Sequence, residues 1–130
     1  MPELPEVETV RTGLASSWTG KRVDGLELRR EGLRFPFPDD LENRLVGTRI
    51  VKVRRRAKYL LIDLDSGDVL LSHLGMRGRW TLDSSDSEGK HDHVVVHLDD
   101  GTMSVYNDPR RFGMLDIYDG GSHKLLDHLG

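Results

Sequence analysis

Two stretches of this chain share one design: an apolar run, a short acidic turn containing glycine, and a second apolar run. Tyr59-Leu60-Leu61-Ile62-Asp63-Leu64 is followed by Asp65-Ser66-Gly67-Asp68 and then by Val69-Leu70-Leu71. Downstream, Val94-Val95-Val96-His97-Leu98 meets Asp99-Asp100-Gly101 and returns through Thr102-Met103-Ser104-Val105-Tyr106. Apolar, β-prone runs on both sides of a glycine turn predict β-hairpins. Val23 to Leu28 and Ile50 to Val53 read as further short strands. Many short strands with few helical stretches predict an antiparallel sandwich or barrel.

The helical signals lie at the two ends. Val7, Val10, Leu14 and Trp18 are spaced by three and four, which places them on one stripe of a helix that Gly20 ends. Pro5 is tolerated at a helix entry, and Glu6 and Glu8 complement the dipole in the first turn. At the other end Ser122 is positioned to cap a short helix carrying Leu125, Leu126 and Leu129. Arg29 to Asp40 and Thr81 to Lys90 read as loops. With 130 residues, 36% of them hydrophobic, and 14 glycines, the chain is sized and composed for one globular domain, residues 1–130. The absence of cysteine excludes disulfides, thiolate-ligated zinc and a thiolate nucleophile from this chain. The longest apolar runs are only a few residues and the N-terminus is acidic where a signal peptide is basic, which predicts a soluble cytoplasmic protein.

A net charge of −3 argues against a polyanion partner until the charges are sorted along the chain. Arg49, Lys52, Arg54, Arg55, Arg56 and Lys58 fall in one ten-residue stretch without an acid. Arg77, Arg79, Arg110 and Arg111 lie in turn-like contexts near His73, His91 and His93. Folded together they make one positive face; taken alone, the run also reads as a solvated strand face.

Three blocks say more than composition. They are Pro2-Glu3-Leu4-Pro5-Glu6-Val7-Glu8-Thr9; then Arg55-Arg56-Ala57-Lys58-Tyr59-Leu60-Leu61 leading to His73-Leu74-Gly75-Met76-Arg77-Gly78; then Lys90-His91-Asp92-His93 followed by Asn107-Asp108-Pro109-Arg110-Arg111-Phe112-Gly113. In this order they resemble the N-terminal domain of the bacterial formamidopyrimidine-DNA glycosylases, which repair oxidised purines, over essentially the whole chain. The related endonuclease VIII branch typically opens Pro-Glu-Gly-Pro-Glu, whereas Leu4 here matches the formamidopyrimidine branch.

The resemblance implies a mainly β fold with flanking helices: a two-layer antiparallel β-sandwich with an N-terminal helix and a short C-terminal helix. It implies base excision through a flipped nucleotide. Pro2, as a free amine, attacks C1′ and forms a Schiff base, and β-elimination then cuts the strand. An α-amine titrates at about 7.7–8.0, so part of it is neutral and nucleophilic at pH 7. With Met1 attached that nitrogen is an amide and inert. Glu3 is implied as the acid/base for sugar-ring opening, Glu6 as its support, and Lys58 as a phosphate contact and proton donor. Dipole complementation explains Glu6 almost as well.

Met76, Arg110 and Phe112 match a wedge that fills the gap left by the everted base, although on turns Met and Phe also read as core residues that reach the surface. His91 and Arg111, with His73, are implied as backbone-phosphate contacts. His91-Asp92-His93 has the spacing of one strand face, but no further ligand pattern supports a metal. The implied partner is damaged double-stranded DNA, with a separate C-terminal domain as a second partner, no membrane, and a bacterial nucleoid-associated location.

No cofactor is expected in this chain, because the family's structural zinc belongs to a C-terminal helix–two-turn–helix and zinc-finger half that is absent here. Weak or no turnover by the chain alone is therefore expected. The alternatives are a non-catalytic DNA-binding fragment or half of a split enzyme. A β-sandwich with proline chemistry unrelated to DNA leaves the wedge blocks unexplained.

Overall fold

The computed structural model describes residues 3–84 and 89–129. Pro2 and positions 85–88 of the second expected loop lie outside the described residues. Eleven elements follow in order: α1 (Leu4–Trp18), β1 (Val23–Leu28), α2 (Leu41–Leu45), β2 (Ile50–Arg56), β3 (Tyr59–Leu64), β4 (Val69–His73), β5 (Arg79–Thr81), β6 (Asp92–Leu98), β7 (Met103–Asn107), β8 (Met114–Tyr118) and α3 (Lys124–Asp127).

The strands form two antiparallel four-stranded sheets, ordered β1-β6-β7-β5 and β2-β3-β4-β8. Both predicted hairpins are present, β3–β4 turning at Gly67 (φ +94°) and β6–β7 at Gly101 (φ +88°). Val23, Leu26, Val94 and Val96 from one sheet join Ile50, Val53, Leu60 and Ile62 from the other in the main core. Helix α1 adds Val7, Leu14 and Trp18, all essentially inaccessible to solvent. Two indoles join the layers. Trp18 Nε1 donates to Ser104 Oγ on β7 at 2.9 Å, and Trp80 Nε1 on β5 donates to Ser72 Oγ on β4 at 3.2 Å. Their rings meet edge-on with centroids 5.2 Å apart.

A second cluster lies on the opposite face of the β2-β3-β4-β8 sheet, where Leu61, Val69, Leu71 and Met114 pack under Leu126 of α3. This explains why β3 and β4 lack polar alternation: each is buried on both faces.

Some expectations need revision. Strand β2 runs on to Arg56 rather than stopping at Val53, because Arg54 is neutralised across the ladder by Asp63 through two 2.7 Å bonds. Arg79 lies on β5, not in a turn. The cap of α3 is His123, not Ser122: its Nε2 is bound by Asp116 at 2.8 Å, leaving Nδ1 to accept the Leu125 N–H at 3.2 Å. Helix α2 and strands β5 and β8 were not anticipated.

Candidate nucleic-acid interface

Four chain segments converge at one end of the sandwich: the turn between β2 and β3, the segment after β4, the segment after β7, and the 29–38 loop after β1. The first is a two-residue turn, since Arg56 pairs directly with Tyr59. It holds Ala57 at φ +51°, a left-handed conformation that costs a residue with a Cβ roughly 1 kcal/mol, and it presents half-buried Lys58. Tyr59 faces His73 across the β3–β4 ladder, with ring centroids 4.8 Å apart. His73 Nδ1 accepts the Gly75 N–H at 3.0 Å, so in the neutral ring the hydrogen resides on Nε2. Burial, then the charges of Lys58 and Arg34, hold its basicity below the ordinary histidine value. It is therefore a neutral donor at pH 7.

Asp108 organises the segment after β7. Fully buried, it accepts the Arg111 N–H on Oδ1 at 3.0 Å, and on Oδ2 both the Gly113 N–H and the Tyr106 hydroxyl, each at 3.0 Å. Its backbone carbonyl faces His93 Nε2 at 2.8 Å, and its N–H donates to the His91 carbonyl at 3.0 Å. Burial, then the Asp108 charge, push the Tyr106 hydroxyl far up, so it stays a donor. These bonds hold Arg111 at φ +54°. The same hydroxyl occupies the space where a Cβ on Gly78 or Gly113 would project, and a Cβ on Gly75 would strike the backbone of Phe112 and Gly113. The Met76 and Phe112 segments are thus packed directly against each other.

The outcome is a surface on which Met76 and Phe112, each 43% exposed, protrude along with Phe35 of the 29–38 loop. The Arg110 guanidinium carbon lies 5.4 Å from the Phe112 ring centroid. A cavity of about 410 Å³ between them is lined by Arg34, His73, Gly75, Met76 and Phe112. Among the described residues, Lys58, Arg77, Arg110 and Arg111 have no carboxylate partner within ion-pair distance. Unpaired cations beside protruding apolar groups equip a surface to hold a polyanion and to enter a base stack.

The structure brings Met76, Arg110, Arg111, Phe112, His73 and Lys58 to this one end. His91 is half-buried, packs edge-on to His93 at 6.4 Å, and borders it through the Asp108 bond. Glu3 and Glu6 are exposed at the entry to α1, where the Glu3 carbonyl accepts the Glu6 and Val7 N–H groups at 3.0 Å. That entry is tied to the basic strand by Glu8, which accepts from Arg11 Nη2 at 2.8 Å and from Arg55 Nε at 3.0 Å. The Arg11 bonds, then Arg55, hold the Glu8 carboxyl down at about 2. Glu8, Tyr106 and Asp108 act as positioning residues, although in the sequence Glu8 reads only as a first-turn dipole partner. The Asp-Pro turn signal at Asp108-Pro109 was the available clue. Among the described residues, no group of three or more His, Asp or Glu side chains is placed to hold a metal ion, and no helix is long and apolar enough to cross a membrane.

The model of the formamidopyrimidine-DNA glycosylase N-terminal domain matches residues 1–115. Curated formamidopyrimidine-DNA glycosylases of Rhizobium etli and of a Ruegeria species are each 50% identical, over alignments that take in 100% of this chain and 50% of those proteins. The fold matches that of Lactococcus lactis Fpg, solved in complex with DNA containing N7-benzyl-Fapy-dG, with a TM-score of 0.86 and 31% identity over 98% of this chain and 47% of that one. A complex of the same L. lactis protein with abasic-site DNA gives 0.82 and 32%, over 90% and 44%. The chain belongs to the formamidopyrimidine-DNA glycosylase N-terminal domain family. It spans about half the length of the curated relatives it matches.

Proposed function

We propose that this chain is the catalytic half of a base-excision glycosylase and abasic-site lyase acting on oxidised purines, 8-oxoguanine and formamidopyrimidines, in duplex DNA. The observation that carries the reading is the convergence of Met76, Arg110 and Phe112 on one loop end beside unpaired cations, in a fold whose solved relatives are complexed with damaged DNA.

In this reading Met76 and Phe112 enter the stack where the damaged nucleotide leaves it, and Arg110 addresses the partner base left behind. Lys58, His91 and Arg111 contact backbone phosphates, and His73 donates through Nε2. The Pro2 amine attacks C1′ and the C1′–N bond to the damaged base breaks. Glu3, supported by Glu6, protonates the ring oxygen as the sugar opens, leaving an iminium between Pro2 and C1′. Loss of a C2′ proton then expels the 3′ phosphate, with Lys58 supplying a proton at that step. The chemistry needs no metal in this half; the family's structural zinc belongs to the C-terminal half in this reading.

Borohydride trapping on an 8-oxoguanine duplex, read with intact mass, tests the proposal. A covalent adduct on chain lacking Met1, lost in Pro2→Gly extended by an N-terminal residue, is the expected result. Confirmed DNA binding and Met1 removal without adduct overturns the Pro2 mechanism. Adding the C-terminal half of a relative in trans tests whether turnover requires it.

A further inference from the structure

Apart from tyrosine and the tryptophans, five polar side chains are buried among the described residues: Ser72, His93, Ser104, Asp108 and His123. Four are matched. The two serines accept indole N–H groups, Asp108 accepts on both oxygens, and His123 uses both ring nitrogens. His93 differs: Nε2 faces the Asp108 carbonyl at 2.8 Å, while Nδ1 is buried with no hydrogen-bond partner. A carbonyl only accepts, so Nε2 carries the hydrogen. Packing alone favours phenylalanine at this position, because an apolar ring of similar shape leaves no buried nitrogen unpaired. What such a ring does not supply is the Nε2–H.

That hydrogen falls on the carbonyl that opens a turn. The Asp108 carbonyl also accepts the Arg111 N–H at 3.3 Å, closing a four-residue turn with Pro109 second and Arg110 third. Proline presets its own φ, but the closing bond is long, and His93 holds the same carbonyl more closely. The strand is shaped to deliver the ring. Pairing of β6 with β7 shifts register between Asp92 and Val94, which leaves His93 without a cross-strand partner, and an irregularity of this kind re-aims a side chain. The His93 carbonyl accepts the Arg29 N–H at 2.9 Å, so its own backbone is anchored at the entry to the 29–38 loop. Arg110 leaves from the corner that His93 steadies and sets its guanidinium beside the Phe112 ring.

We propose that His93 is a positioning residue for the wedge: its Nε2–H fixes the Asp108 carbonyl and thereby sets the direction from which Arg110 meets the partner base. The proposal rests on the DNA reading above and extends it to a buried residue that touches no nucleic acid. The bare Nδ1 is the cost of keeping a donor on the opposite side of the ring.

The test places 2-aminopurine, whose emission rises when it leaves the stack, opposite an abasic site in a duplex, and compares the parent with His93→Phe and His93→Gln at low salt. Glutamine carries an amide N–H at the reach of Nε2 and keeps the donor, whereas phenylalanine keeps the ring and loses it. The parent is expected to raise the emission. His93→Phe is expected to lose most of that rise while keeping the parent slope of log K against log salt, and His93→Gln to restore it. A role confined to packing gives the reverse order, with phenylalanine closer to the parent, and overturns the proposal. A parent that leaves the partner base stacked overturns the wedge reading and this role with it, whereas a full parent response that survives in His93→Phe overturns the His93 role alone. Should His93→Phe fail to fold, nitrogen NMR of the parent imidazole decides: a hydrogen on Nε2 whose resonance moves when the duplex binds is expected, and a hydrogen on Nδ1 or an unmoved resonance overturns the role.

Discussion

The arginines of this chain live in two kinds of surroundings. Along the flank of the sandwich they are used internally. Arg44 grips Asp68 through two 2.9 Å bonds, Arg54 grips Asp63 through two at 2.7 Å, and Arg11 and Arg55 share Glu8. At the loop end Lys58, Arg110 and Arg111 have no such partner among the described residues. Both sets belong to a chain of net charge −3. Total charge therefore says little about what this surface attracts, because carboxylates are bound to the flank arginines while Lys58, Arg110 and Arg111 have none in ion-pair range among the described residues. Within the ten-residue basic run, Arg54 and Arg55 are fasteners, whereas Lys58 in the turn that follows has no carboxylate in ion-pair range among the described residues.

The contrast can be broken most severely at the carboxylate that belongs to the loop end. Asp108→Ala removes the side-chain acceptor of the buried Gly113 N–H, the part-buried Arg111 N–H and the Tyr106 hydroxyl, and should lower unfolding free energy by about 3 kcal/mol in a urea titration. A loss below about 1 kcal/mol removes Asp108 as organiser of that end. Next in size is the effect on DNA. Lys58→Gln is expected to weaken duplex binding severalfold and to reduce the salt slope by about 0.9, whereas Arg54→Gln four residues earlier leaves the slope where it was. Equal slopes for the two variants abolish the distinction drawn here.

The fasteners themselves are worth less. Arg44→Gln should cost about 0.5–1 kcal/mol of stability, measured by denaturant midpoint, with DNA affinity unchanged. The smallest effect is a pH dependence. Because the folded Glu8 carboxyl is depressed to about 2, its contribution is fully present above the ordinary glutamate value and fades as pH falls from there toward 2. Arg11→Gln should bring the Glu8 midpoint, followed by carbon NMR, back up toward 4.5.

What could be read from the sequence follows physical lines. The strand pairs announced themselves because glycine turns separate long apolar runs, and α1 because Val7, Leu14 and Trp18 share one face. Strand β8 escaped notice because Met114 to Tyr118 has no turn signal tying it to its distant partner β4. Helix α2 is only five residues long, with a single Leu41–Leu45 spacing to mark it. At the site, the blocks identified side chains that project outward, Met76, Arg110 and Phe112 among them. The groups that aim them stayed hidden. Asp108 looks like a turn residue and Glu8 like a dipole partner until the fold supplies Tyr106, Arg111 and Arg55 to bond them.

The paired indoles between the sheets also make this molecule optically legible. Trp18 and Trp80 are its only two tryptophans, their rings 5.2 Å apart and their N–H groups engaged by different serines. Tyr106 stands 5.1 Å from Trp80, close enough for efficient energy transfer between their rings, and its hydroxyl ends on Asp108. Near-ultraviolet dichroism of the indole pair thus gauges how helix and sheets are stacked, while tyrosine-to-tryptophan transfer gauges the anchor of the loop end. With no chromophore of this kind on Met76, Arg110 or Phe112, the emission should stay almost silent when a ligand docks there and change when the scaffold beneath it gives way.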